Sequence, residues 1–130
     1  MKQISCLLAL ALLGFVSGAA QTDSYRVVFD LTSRDSLDQK AVVRWVKEII
    51  AAHPQALLEV VMYGKGFELV MPEKSTVIAD VREVAKNPNI SFTVCAMSLK
   101  NNNIERSRVL DEVKTVPDGI YEIIAKQREG

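Results

Sequence analysis

The chain switches its hydrophobic period again and again, and this constrains its fold more than any other feature. Tyr25-Arg26-Val27-Val28-Phe29-Asp30-Leu31 is rich in β-branched and aromatic residues, as strands are. After polar Thr32 to Asp35, Ser36-Leu37-Asp38-Gln39 has the form of a capping box that opens a helix. Leu37, Ala41, Trp45 and Ile49, with Val42, Val46 and Ile50, then recur at helical spacing. The helix must end near His53-Pro54, because a residue before proline disfavours helical geometry. A second strand, Leu57 to Tyr63, is closed by Gly64-Lys65-Gly66, and Ser75 caps a helix carrying Val77, Ile78, Val81, Val84 and Ala85. Asn87-Pro88-Asn89 stops it, and Ile90 to Met97 forms a third strand. A polar loop over Lys100-Asn101-Asn102-Asn103 leads to a short helix bearing Val109, Leu110 and Val113. Thr115-Val116-Pro117 makes a short fourth strand, and Ile120, Ile123, Ile124 and Gln127 mark a last helix.

Strands that alternate with helices across short connections predict a parallel sheet of four or five strands covered on both faces. The second strand is apolar almost without interruption, as a strand buried on both sides should be. No linker, low-complexity stretch or longer repeat interrupts the rhythm. The expectation is one three-layer, doubly wound α/β domain.

That domain does not begin at Met1. Lys2 supplies a positive start, Leu7 to Val16 is an unbroken apolar run, and Ser17-Gly18-Ala19-Ala20 offers small residues for cleavage after Ala19 or Ala20. Residues 1–20 therefore read as a secretory signal peptide, too short to serve as a spanning helix of about 20 apolar residues, and 21–130 as the domain. Cys6 precedes the apolar run, which argues against a lipoprotein site. The expected location is periplasmic or secreted, with no membrane association once the leader is removed.

Of sixteen basic residues, sixteen acidic ones and two cysteines, the mature segment loses only Lys2 and Cys6. A balanced charge argues against nucleic acid as a partner, which usually draws on a basic stripe. One histidine and one remaining thiol offer too few ligands for a metal site, and no motif implies a cofactor. Cys95 cannot pair within its own chain, so it is a buried thiol, an intermolecular bridge or a reactive sulfur.

Ligands of open parallel sheets bind beyond the carboxyl ends of the strands. Those ends fall at Asp30 to Ser33, Tyr63 to Gly66 and Cys95 to Leu99. Cys95 stands just ahead of a loop and helix whose free amides favour a thiolate, although cysteine also often merely fills a strand. Lys65 between Gly64 and Gly66 offers a charge and an approachable backbone, or simply a tight turn. Asp30 can orient a ligand or bind loop amides. His53 reads as a solvent-facing helix end, and Trp45 as core or a subunit contact.

Cys95-Ala96-Met97-Ser98-Leu99-Lys100, with Ile104 and Leu110 downstream, resembles the cysteine segment of the DsrE/DsrF-like family of small sulfur-relay proteins. Val28-Phe29-Asp30-Leu31-Thr32-Ser33, Glu59-Val60-Val61-Met62-Tyr63-Gly64-Lys65-Gly66 and Val116-Pro117-Asp118-Gly119-Ile120, with Gln127 and Gly130, agree in order and spacing. The resemblance covers essentially the whole mature chain. It implies a flavodoxin-like (Rossmann-like) domain assembling as a trimer or hexamer. It also implies Cys95 as the acceptor that carries sulfane sulfur, with a donor or acceptor protein as partner. Asp30, Tyr63, Gly64, Lys65, Gly66 and Ser98 are the ligand-binding candidates around it. Tyr63 and Met97 stand where many relatives carry histidine and asparagine. Two functions follow: a sulfurtransferase-like carrier working through Cys95, or a non-catalytic oligomeric module that binds a small ligand or protein at the strand ends, with the cysteine structural.

Overall fold

The structure, a computed structural model, describes residues 25–130, so the leader expected at 1–20 lies outside the described residues. The chain runs β1 (Arg26–Leu31), α1 (Ser36–Ala52), β2 (Leu57–Met62), α2 (Ile78–Val84), β3 (Ile90–Cys95), α3 (Ala96–Asn101), β4 (Lys114–Val116) and α4 (Gly119–Glu129). The strands form one parallel sheet in the order β1-β2-β3-β4. Its register sets Val28 beside Glu59, Val60 beside Phe92 and Cys95 beside Val116.

Successive side chains of a strand point to opposite faces, so β2 sends Leu58, Val60 and Met62 one way and Glu59 and Val61 the other. On the first face Leu58, Val60, Met62, Phe92 and Val94 join one core cluster with Val42, Val43 and Val46 of α1 and Val81 and Val84 of α2. Leu99, Val109, Leu110 and Val113, from the connection between β3 and β4, belong to the same cluster. Burying each such side chain contributes about 1.5–3 kcal/mol relative to leaving it in water. On the second face lies α4, whose Lys126 ammonium is 3.8 Å from the Glu59 carboxylate.

The expected three-layer, flavodoxin-like (Rossmann-like) domain is thus present, with both faces of the sheet covered. Its winding, however, does not reverse as the doubly wound expectation required. With strands in sequential order, each right-handed crossover returns on the same side, and only the helix after the last strand reaches the other. Strand–helix alternation is identical for both windings, so the sequence pattern does not distinguish them.

Several local expectations shift for physical reasons. The cap of α1 is Asp35, whose carboxylate accepts from the Leu37 amide at 2.7 Å, while the buried Gln39 side chain donates to the Ser33 carbonyl at 3.2 Å. Ser75 accepts from the Val77 amide in a turn ahead of α2, which starts at Ile78. Beyond the glycine turn, Gly66–Val70 is a 3₁₀ turn that buries Phe67, Leu69 and Val70. The third strand ends at Cys95, two residues early, because Ala96 opens α3. Val109, Leu110 and Val113 lie in an irregular segment instead of a helix. The Arg106 guanidinium donates to the carbonyls of Val109 and Leu110, at 3.1 Å each, and to that of Val113. One arginine thereby satisfies backbone groups that a helix would have paired internally.

Candidate functional site

Alternation along β1, β2 and β3 carries Asp30, Tyr63 and Cys95 to the carboxyl end of the sheet, on the face that α4 covers. The Tyr63 hydroxyl donates to the Asp30 carboxylate at 3.0 Å. Burial first, and then this bond and the carboxylate's charge, hold the Tyr63 ionisation above the ordinary tyrosine range. Gly119, the first residue of α4, closes the group from above. A Cβ there would lie 3.2 Å from Cβ of Tyr63, 3.3 Å from Cγ1 of Val61 and 3.4 Å from Cβ of Cys95.

Cys95 is only 4% exposed. Its thiol points at the Pro117 carbonyl, 3.9 Å away, and the same carbonyl accepts from the Met97 amide at 3.4 Å. The turn from Pro117 to Gly119 therefore roofs the sulfur. Asp118 within it caps α4, accepting from the amides of Ile120 at 2.8 Å and Tyr121 at 3.4 Å, so the helix end is already supplied with a negative charge. Around this roof the surface is apolar, with Met97 51%, Ile120 45% and Tyr121 74% exposed.

Gly64-Lys65-Gly66 forms a tight turn against the end of β1. Gly64 has a φ of +57°, a conformation that favours glycine. A Cβ on Gly66 would fall 1.9 Å from the Leu31 carbonyl oxygen, so no larger residue fits. The amides of Tyr63 and Lys65 donate to the carbonyls of Leu31 and Thr32 at 3.2 and 3.1 Å, and that of Gly66 to Tyr63 at 2.9 Å. The turn is thus fastened onto the end of β1 with these amides occupied, and Lys65 is exposed on it. Ser98 is buried on α3, where its carbonyl accepts from the Asn102 side chain at 2.8 Å.

Of the residues expected at the site, Asp30, Tyr63 and Cys95 are brought together, while Gly64, Lys65 and Gly66 face Leu31 and Thr32. Reading strand ends alone missed Gly119 and Pro117 as parts of this site. Their signal was an aspartate cap followed by glycine at the first helical position, an unfavourable helix residue that marks a close approach. Among the described residues no group of three or more His, Cys, Asp or Glu side chains is placed to hold a metal. No described helix is long and apolar enough to cross a membrane.

A second polar group lies on the same face, nearer the amino ends of the strands. The buried Glu59 carboxylate accepts from the Thr93 hydroxyl at 2.5 Å, and Lys126 is shared with Glu129 at 3.2 Å and Glu122 at 3.7 Å. Those carboxylates, led by the hydrogen bond to Glu129, hold the Lys126 ammonium above its usual pKa. A cleft of about 380 Å³ opens here between Arg26, Val28, Leu57, Glu59, Ser91 and Lys126.

Fold and site together define a small parallel α/β domain with a roofed cysteine and a tyrosine–aspartate pair at its strand ends. Among solved structures it is similar to MTH1491 from Methanobacterium thermoautotrophicum, a protein of unknown function. The two share 26% identity and a TM-score of 0.76, over 82% of this chain and 94% of that one. No family model matches the chain, and no curated protein matches it.

Proposed function

We propose that this is an exported DsrE/DsrF-like protein acting as a homo-oligomeric binding module, which docks a small ligand or protein partner at its strand ends and uses Cys95 as a structural thiol. The observation that carries this reading is the burial of Cys95, 4% exposed with its thiol on the Pro117 carbonyl. A reactive cysteine needs a thiolate that a partner can reach. The apolar rim of Met97, Ile120 and Tyr121 supplies a contact surface instead, and Asp30 and Tyr63 supply a polar pair beside it.

A second reading, sulfur relay on Cys95, draws on one observation. The cysteine stands outside the main core cluster, and the turn from Pro117 to Gly119 lies over its sulfur. If that turn moves, the thiolate attacks a sulfane sulfur to form a persulfide, and the donor leaves with the electron pair of the broken bond.

Intact mass after treatment of the folded protein with a sulfane-sulfur donor separates the two, with Cys95→Ser as control. The binding-module reading expects no adduct on native protein and labelling only after denaturation. One added sulfur, removed by reductant and absent from the control, would establish relay in its place. Export is tested by sequencing the amino terminus of the exported protein, which should begin at residue 20 or 21. Light scattering should give a trimer or hexamer, and a monomer at micromolar concentration would overturn the oligomer.

A further inference from the structure

We infer that the cleft near the amino ends of the strands binds an amino acid with an apolar side chain, at a site separate from the one around Cys95. The register of three strands sets its floor. Val28 lies beside Glu59 and Glu59 beside Ser91, all turned toward α4, which brings Lys126 over them. Lys114 of β4, beside Thr93, lines the same space. Contacts between packed layers are normally filled to the density of a crystal. Here about 380 Å³ stays open between helix and sheet, within the ~300–1,000 Å³ of small-molecule sites.

The charges around this space suit a ligand better than they suit the fold alone. Glu59 interrupts an otherwise apolar strand, and burying a carboxylate is costly unless it is paired and hydrogen-bonded. The Thr93 hydroxyl serves one of its oxygens, Oε1. The other, Oε2, is 3.8 Å from the Lys126 ammonium, within ion-pair range but too long for a hydrogen bond. Lys126 makes its shortest contact with Glu129 instead, at 3.2 Å. Oε2 therefore keeps accepting capacity for a donor that enters the cleft. Lys114 is exposed, and its ammonium has no ion pair or hydrogen bond among the described residues. Arg26 also lines the cleft but already has an interaction of its own, so the ligand's acid group is left to Lys114 and Lys126. An amino acid answers both signs at once. Its ammonium donates to Oε2 of Glu59, its carboxylate takes up the two lysines, and its side chain covers Val28 and the half-exposed Leu57. A simple amine would meet the lysines, and a simple acid would meet Glu59.

The test is a titration of the protein followed by amide NMR, with L-leucine and its two half-ligands as probes. Isocaproate is leucine without the ammonium group, and isoamylamine is leucine without the carboxylate. L-leucine should give saturable shifts at the amides of Val28, Glu59, Ser91 and Lys114. Each half-ligand should bind at least about tenfold more weakly, since each leaves one charged hydrogen-bonding group of the cleft unanswered. Glu59→Gln, which keeps an acceptor for Thr93, and Lys114→Ala, at an exposed position, should each weaken leucine about tenfold, with circular dichroism establishing the fold. Should Glu59→Gln fail to fold, Lys114→Ala still decides. Isocaproate binding as tightly as leucine would overturn the assignment in favour of a plain acid site. Unchanged affinity in the folded variants, or no saturable shift with L-leucine, L-methionine or L-phenylalanine, would also overturn it. Shifts centred on Tyr63, Met97 and Ile120 would move the ligand to the strand-end site. None of these failures touches the structural reading of Cys95, which the sulfur-transfer experiment decides separately.

Discussion

The two faces of the sheet are built from alternate residues of the same strands, yet they are held by different forces. Toward α1 and α2 the strands present Leu58, Val60, Met62, Phe92 and Val94, every one of them apolar. Toward α4 the same strands present Glu59, Val61, Tyr63, Thr93 and Cys95, and the contact depends on hydrogen bonds and an ion pair. The apolar face draws on close packing, where any lost volume is felt. The polar face leaves room for chemistry: its buried groups are satisfied, but each has few partners, so single substitutions there should reorganise the site without unfolding the domain.

Substitution of neighbours in one strand tests that contrast directly. Phe92→Ala, on the apolar face and 2% exposed, should cost about 3–5 kcal/mol, read from the shift of the urea midpoint. Thr93→Val, one residue on and facing the other way, removes the donor to a buried carboxylate and should cost about 1.5–3 kcal/mol. Were Thr93→Val the more damaging of the two, the division of labour between the faces would be wrong. Gly119→Ala should cost about 1 kcal/mol, because crowding against Tyr63, Val61 and Cys95 outweighs the better helix propensity of alanine. The same variant should raise the reaction rate of Cys95 with a thiol reagent by loosening the roof.

The smallest effect expected is in the titration of Tyr63. Its folded pKa is raised above the ordinary tyrosine value of 10.0, so the protonated form is favoured by folding. The associated stability is fully present below pH 10.0 and is lost as pH rises through the raised value. Ultraviolet titration should place Tyr63 above the ordinary range, and Asp30→Asn should bring it back only part of the way, because burial is the larger cause. A complete return would make the carboxylate dominant instead.

Much of this fold was legible where one force dominates. The apolar run of β2 and the helical spacing of α1 are set by burial alone, and both elements lie where the pattern places them. Within α1 the inward stripe was misjudged. Leu37 is 72% and Trp45 44% exposed, whereas Val42, Val43, Val46 and even Gln39 are buried. Two overlapping stripes share one helix there, and only the neighbouring strand chooses between them. At the site, Asp30, Tyr63 and Cys95 followed from the rule about strand ends. The contact with Gly119 did not, because it depends on α4 crossing to the face that no crossover helix occupies.

The sequential strand order has a consequence for how the molecule is made. Each strand pairs with the one synthesised just before it, so no strand must wait for a distant part of the chain to find its neighbour. The sheet can grow one edge at a time, from the amino end onward, with loop closures that stay short and entropically inexpensive. α4, made after all four strands, is also the segment that closes the Glu59 and Cys95 face. Until it docks, the apolar half of the domain can already be assembled while the half that carries the site stays open.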